Sequence, residues 1–127
     1  MKTKTLVLYM TLVALTGGCK AIFNQLVPHS EKWPSGMARN RGQLLGDKQS
    51  GDWVHYYPSG KKQAEGKYAD DRLVGPWVFY YESEQRERVG SYDDKGLRTG
   101  EWTYYYEDQT PKNRGSYFAD FEDGPWQ

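Results

Sequence analysis

The sequence predicts an all-β protein whose elongated single sheet is a meander of successive β-hairpin repeats, preceded by a signal peptide and a flexible tether. The motif Gly-x-Trp recurs at spacings of 24, 25 and 24 residues, a period typical of repeat architectures. Aromatic residues, which favour strands, make up 16% of the 127 residues. This content explains how a chain with a mean hydropathy of −0.93 can still form one small folded domain.

Residues 1–18 have the order of a secretory signal. Two lysines precede an apolar run over residues 6–15, and small residues follow. The run is about half of the roughly 20 residues that a membrane-spanning helix needs. Residues 15–19, Leu-Thr-Gly-Gly-Cys, resemble the lipobox of bacterial lipoproteins, which implies a lipoprotein signal peptide and acylation of Cys19. The alternative is an ordinary leader in which this cysteine is incidental.

Residues 19–41 are expected to form the lipidated N-terminus and a flexible tether. Pro28, Pro34 and Gly36 interrupt every periodic pattern, so no long strand or helix is expected before Arg41. Residues 20–50 carry a net charge of +3, whereas residues 51–127 carry ten basic and fifteen acidic residues. A basic stem could lie against anionic lipid, although random variation in a linker would also produce this charge.

Residues 42–127 are predicted to form the repeat array, and each copy contains two short strands. Alternation along the first strand of a copy places Trp53, His55 and Tyr57 on one face and Val54 and Tyr56 on the other. Stacked hairpins are expected to align Trp on Trp and Tyr on Tyr as an aromatic ladder that forms the core. The predicted repeat-core residues are Gly51, Trp53, Tyr57, Gly66, Tyr68, Gly75, Trp77, Tyr81, Gly90, Tyr92, Gly100, Trp102, Tyr106, Gly115, Tyr117, Gly124 and Trp126.

Short polar segments are predicted to turn the chain between these strands. Residues 58–60 and 107–109 have turn composition within copies, and residues 70–72 and 93–96 have it between copies. Gly96 accounts for the one extra residue in the second copy.

The succession of Gly-x-Trp, Tyr-Tyr and Gly-x-Tyr resembles the MORN repeat in its bacterial variant form, over residues 42–127. The resemblance implies a curved sheet of successive hairpins. Gly60 fits the pattern at the hairpin turn, whereas Glu84 and Gln109 depart from it, so those two turns are expected to differ in type or in order. The family further implies scaffolds, membrane-associated adaptors or antitoxins of toxin–antitoxin pairs.

Candidate chemical groups are few. His55 occupies the position held by Phe79 and Tyr104 and is expected to be a ladder residue. The single cysteine excludes a disulfide framework and a cysteine zinc site. Paired carboxylates at 70–71, 93–94 and 122–123 are assigned to turns, because each pair offers too few oxygens for calcium. No catalytic residue, metal or cofactor is expected. Three arginines that fall in predicted strands are expected to form a solvated face; they are Arg86, Arg88 and Arg114.

The sequence therefore favours a non-enzymatic, lipid-anchored repeat protein that acts outside the cytoplasm as a protein-binding scaffold or adaptor at the bacterial envelope. One alternative is an antitoxin or immunity protein that masks a basic toxin with its acidic array. Another is a peptidoglycan- or glycan-binding module whose tyrosines stack on sugars, and a third is a purely structural role. No nucleic-acid partner is expected without a basic stripe, and no small-molecule substrate is expected. Lys20, directly after the cysteine, favours the outer membrane in a double-membraned cell.

Overall fold

The computed structural model describes residues 25–127, which form one antiparallel sheet of nine strands in chain order. This arrangement confirms the predicted meander. None of the described residues belongs to a helix that could cross a membrane. The predicted signal peptide, Cys19 and the first part of the predicted tether lie outside the described residues. The strands are β1 (Leu26–Lys32), β2 (Ala38–Leu45), β3 (Lys48–Tyr56), β4 (Lys62–Ala69), β5 (Arg72–Tyr80), β6 (Arg86–Tyr92), β7 (Arg98–Tyr105), β8 (Pro111–Phe118) and β9 (Phe121–Asp123).

Each Gly-x-Trp motif forms a bulge against the strand before it. Glu65 pairs with Val78 and Lys67 pairs with Val74, so that Gly66 alone faces the three residues 75–77. The first residue of the motif accommodates the extra length in a left-handed conformation, with φ of +66° at Gly75. Extra residues on one strand bend it and increase its twist, so the motif curves the sheet once per copy. The same arrangement recurs at residues 51–53 and 100–102.

The glycine that faces each bulge makes room for a tryptophan ring. A Cβ atom on Gly66 would lie 2.3 Å from Cδ2 of Trp77, and one on Gly90 would lie 2.0 Å from the same atom of Trp102. The indole therefore lies directly on the backbone of the preceding strand. The same relation joins Gly42 to Trp53 and Gly115 to Trp126.

The aromatic core lies on one face of the sheet, where Trp53, Trp77 and Trp102 are each 1% exposed. Direct stacking of Trp on Trp was expected and is wrong. His55 stacks between Trp53 and Trp77, with centroid distances of 6.1 Å to each ring. Tyr68 meets Trp77 edge-on at 5.2 Å. Phe79 and Tyr104 repeat the role of His55, and Tyr92 and Tyr117 repeat that of Tyr68.

The hairpin turns within copies share one geometry, contrary to the expectation for two of them. Gly60, Glu84 and Gln109 all have left-handed backbones, with φ of +85°, +69° and +67°. Each amide donates to the carbonyl oxygen three residues earlier, at distances of 2.8–2.9 Å. Glu84 and Gln109 thus adopt the conformation that glycine takes in the first turn, at the higher energy of a side chain in this region.

The tether prediction is wrong for residues 26–41, which form β1, a turn and the first half of β2. Pro28 pairs with Gln43 inside the sheet, and the turn after Trp33 repeats the hydrogen bonds of the turn after Tyr57. His29 packs against Trp53 at 5.9 Å, in the place of a ladder tryptophan. A further degenerate copy of the hairpin therefore precedes the predicted start of the array.

Candidate functional site

The ladder face, which is the face of the sheet that carries the aromatic core, is covered largely by aromatic rings. His55 is one of the titratable members of the ladder, and its Nε2 lies 3.2 Å from the hydroxyl of Tyr68. Burial, followed by the charge of Arg39, lowers the pKa of His55 below its ordinary value. A half-buried imidazole held between two indoles serves packing, as the sequence analysis expected.

The predicted repeat-core tyrosines that begin the hairpin turns link one copy to the next. The hydroxyl of Tyr57 donates to the carbonyl oxygen of Tyr80, and that of Tyr81 donates to the carbonyl oxygen of Tyr105, both at 2.7 Å. Tyr106 was assigned to the same class, but it is 51% exposed. These residues therefore connect hairpins at the sheet margin rather than fill the ladder.

The opposite face of the sheet carries a row of partly exposed tyrosines and small aliphatic residues. We call this surface the tyrosine face. Its tyrosines come from three consecutive tryptophan-bearing strands, β3, β5 and β7, and each has a cation beside it on the preceding strand. It consists of Val54, Tyr56, Val78, Tyr80, Thr103 and Tyr105, with Arg41, Lys62, Glu65 and Arg86 between them.

The cations of the tyrosine face lie over the tyrosine rings. The guanidinium of Arg41 is 5.7 Å from the ring centre of Tyr56, and that of Arg86 is 5.3 Å from the ring centre of Tyr105. Such contacts stabilise exposed sites by about 0.5–1 kcal/mol. They also hold two flexible side chains in place above the sheet.

The middle of the tyrosine face contains a hydrogen-bonded triad. Lys62 Nζ lies 2.8 Å from Glu65 Oε2, and the hydroxyl of Tyr80 donates to Glu65 Oε1 at 2.5 Å. Burial and the bond to this carboxylate raise the pKa of Tyr80 to about 12. The hydrogen bonds from Lys62 and Tyr80 lower the pKa of Glu65. The lysine charge is therefore compensated within the face.

A shallow groove of about 440 Å³ crosses this face above the bulge of the middle copy. It is lined mainly by apolar atoms of Val54, Pro76 and Val78, with Glu65 and Lys67 at its edge. The groove connects Val54 of one copy with Pro76 in the bulge of the next.

The three strand arginines do not form one solvated face, contrary to expectation. Arg88 lies on the ladder face, where its guanidinium is 4.0 Å from the ring centre of Phe79 and 2.9 Å from Glu87. Arg86 and Arg114 lie on the opposite side. Arg86 and Tyr105 belong to the tyrosine face, whose tyrosines were expected to point outward, whereas the contacts of these tyrosines with cations were not predicted. The outward tyrosines recur at the repeat spacing, but Arg41, Lys62 and Arg86 precede them by 15, 18 and 19 residues, so no fixed spacing indicated these contacts.

Two of the three pairs of carboxylates act in turns, whereas the assignment of Glu122 and Asp123 to a turn is wrong, because both lie in β9 and pair with β8. Asp70 and Asp71 have φ of +55° and +65° in a two-residue turn, and Asp71 Oδ1 accepts a hydrogen bond from the amide of Gln49 in the previous copy. Asp93 Oδ1 accepts bonds from two amides of its own loop. Within residues 25–127, no three His, Cys, Asp or Glu side chains converge on a point that could hold a metal ion.

Comparison with known families shows that residues 49–70 match the MORN repeat variant. The matched segment contains nearly all of β3, its hairpin turn and β4, so it corresponds to one copy of the observed repeat. No match was found among curated protein sequences. The comparison supports MORN-variant repeats as the building unit of the sheet.

Proposed function

We propose that this chain is a non-enzymatic repeat scaffold, anchored by an acylated Cys19 at the bacterial envelope, that binds a protein partner through its tyrosine face. The observation that carries the proposal is the row of partly exposed tyrosines at Tyr56, Tyr80 and Tyr105, which an apolar groove adjoins. Tyrosines supply much of the binding energy at protein interfaces, together with tryptophan and arginine. The lipid anchor is supported by the lipobox-like residues 15–19.

A cross-linking pull-down from native membranes tests the proposed binding. The full chain with intact Cys19 is expected to capture one dominant protein, and Tyr80→Ser is expected to lose it. Tyr106→Ser is the matched control, because Tyr106 is exposed but lies at a hairpin turn outside the tyrosine face. Capture of glycan alone would move the function to the cell wall, and equal loss in both variants would remove the tyrosine face from the proposal.

The lipid anchor has a separate test. Cys19→Ser is expected to release the chain from the membrane fraction and to reduce its mass by the acyl chains. An unchanged mass together with unchanged membrane retention would contradict acylation.

The alternative in which the chain masks a basic toxin depends on a different surface. Glu82, Glu84 and Glu107 are exposed at the hairpin turns, and none forms an ion pair within the described part of the chain. This alternative predicts a stoichiometric complex that weakens with salt and with Glu84→Gln combined with Glu107→Gln. Such a complex would survive Tyr80→Ser, which distinguishes it from binding through the tyrosine face.

A further inference from the structure

We infer that the tyrosine face binds an extended acidic segment of its protein partner, which crosses from β3 to β7 and places two carboxylates about six residues apart on Arg41 and Arg86. The inference rests on the proposed function, since it specifies the chemistry of the partner at the same surface. Three features of the face support it.

The first feature is the difference between the cations. Lys62 is paired with Glu65, whereas neither Arg41 nor Arg86 forms an ion pair with any residue of 25–127. Both arginines are exposed, and each guanidinium lies over a tyrosine ring. A guanidinium at this distance from a ring still presents N–H groups, and these match a carboxylate with two parallel hydrogen bonds. Each of the two arginines can therefore bind a carboxylate of a partner.

The second feature is the distance between these two positions. The rings beneath the guanidinium groups belong to β3 and β7, which are separated by four strand intervals of about 4.8 Å, or roughly 19 Å. An extended chain advances about 3.3 Å per residue, so roughly six residues span this distance. Because six is an even number, both acidic side chains point to the same side of the bound segment.

The third feature is the carboxylate of Glu65 between the two arginines. A uniformly anionic surface, such as a bilayer of acidic lipid, would bring negative charge onto Glu65 as well as onto the arginines. A polypeptide can instead place an uncharged hydroxyl or amide there and apolar groups against Val78 and Pro76. Two arginines that are unpaired within residues 25–127 therefore flank a lysine–glutamate pair, and this arrangement favours a polypeptide over an anionic lipid surface.

The test uses the full chain and the peptide Thr-Asp-Thr-Thr-Thr-Val-Thr-Asp-Thr, whose aspartates are six residues apart and share one side of the extended chain with a threonine and a valine. The matched probe has the same composition with the aspartates five residues apart, on opposite sides of an extended chain. Nuclear magnetic resonance follows the arginine Nε–Hε signals during titration. We expect saturable shifts at Arg41 and Arg86 with the first peptide, and at least about tenfold weaker binding of the second.

Variants test the two contacts separately. Arg41→Gln and Arg86→Gln are each expected to weaken binding of the first peptide about tenfold. Arg39→Gln is the control, because Arg39 stacks over Trp33 at 5.1 Å near a hairpin turn, and it is expected to leave binding unchanged. The dispersed indole signals of each variant report that the sheet remains folded.

Three outcomes would overturn the inference: no saturable shift at either arginine, equal affinity for the two peptides, or stronger shifts with phosphatidylglycerol vesicles than with the peptide. If the peptide fails while the pull-down still depends on Tyr80, the inference is wrong and the proposed function stands. If the dependence on Tyr80 is also absent, the proposed function is wrong as well.

Discussion

At the scale of single residues, the two glycines of each copy are required for different physical reasons. Gly100 begins a Gly-x-Trp motif with φ of +66° and has open space where a Cβ atom would be. Gly90 lies beneath the indole of Trp102, where a Cβ atom would overlap the ring at 2.0 Å. Gly100 is required for its backbone conformation, whereas Gly90 is required because a side chain would overlap the indole. The sequence alone does not distinguish these two requirements.

This difference predicts unequal effects of alanine. Gly100→Ala is expected to lower the free energy of unfolding by about 0.5–1 kcal/mol, because the energy of a left-handed alanine is partly offset by the lower freedom of alanine in the unfolded chain. Gly90→Ala is expected to lower it by about 3 kcal/mol, because the buried ring must move away from the new methyl group. Urea unfolding followed by circular dichroism measures both. Equal losses would contradict the assignment of Gly90 to the indole contact.

His55 makes the stability of the array dependent on pH. Burial and the charge of Arg39 lower its pKa in the folded state, whereas Glu31 acts in the opposite direction. The unfolded chain therefore binds a proton first, and stability is expected to fall as the pH drops below about 6.5, until the folded-state pKa is passed.

His55→Phe tests this pH dependence, because Phe79 occupies the equivalent position in the next copy. Melting temperatures between about pH 7.5 and pH 5 should decline less steeply in this variant than in the wild type. His29→Gln is the control for the other histidine. An identical decline in wild type and His55→Phe would assign the pH dependence to other groups.

At the scale of elements, the copies differ most in their turns. Gly60 and Glu84 have the same left-handed backbone and the same hydrogen bond. The turn between β5 and β6 therefore forms without the glycine that this conformation favours. Gln109 occupies the equivalent place between β7 and β8, and its side-chain amide donates a hydrogen bond to the carbonyl oxygen of Arg86 at 3.0 Å.

Replacing Glu84 by glycine is therefore expected to stabilise the array by about 0.5 kcal/mol. Relief of a left-handed side chain contributes roughly 1–2 kcal/mol, and the greater freedom of glycine in the unfolded chain offsets about 0.4–1 kcal/mol of it. Gln109→Gly should gain less, since it also loses the hydrogen bond to Arg86. Chemical denaturation measures both changes, and a loss of stability in Glu84→Gly would contradict the shared turn geometry.

The limits of sequence-based prediction are also seen at this scale. Period-2 alternation and the Gly-x-Trp spacing predicted β3 to β8 because the side chains there are aromatic. The β1–β2 hairpin was missed because His29 replaces the ladder tryptophan, and because Pro28 and Pro34 were interpreted as interruptions. Pro34-Ser35-Gly36 repeats Pro58-Ser59-Gly60 at the same spacing of 24 residues, so the repeat itself carried the missing signal.

The tyrosine face was only partly predictable. Alternation placed Tyr56 and Tyr80 on the outward side, but it did not show which cations lie over which rings. Those contacts depend on the register between neighbouring strands, and the bulge at each Gly-x-Trp shifts that register by two residues. The residue pattern along one strand cannot predict the register between two strands.

At the scale of the whole molecule, the described residues form a single sheet with no second layer over the ladder. Each strand contacts only its sequence neighbours to any substantial extent, as in other repeat proteins, whose stability is a sum of local and nearest-neighbour contributions. Loss of a central contact should therefore affect the array differently from loss of a terminal one.

Trp77 and Trp126 provide this comparison. Trp77 has ladder rings on both sides, including His55 at 6.1 Å and Phe79 at 5.8 Å, whereas Trp126 contacts Tyr104 and Tyr117 on one side. Trp77→Ala is expected to lower the free energy of unfolding by about 3–5 kcal/mol and to uncouple the two halves of the sheet. Trp126→Ala should lower it less and should loosen only the last hairpin.

Amide hydrogen exchange resolves these two outcomes along the chain. In Trp77→Ala, amides of β2 and β3 should lose protection at a different denaturant concentration from amides of β7 and β8, because the interface that transmits cooperativity is missing. In Trp126→Ala, both groups should still unfold together, with early exchange confined to β8 and β9. A single cooperative transition with an unchanged midpoint in Trp77→Ala would contradict the proposal that the ladder stabilises the sheet. In that case the indole of Trp77, which joins the central copies, would contribute nothing to stability.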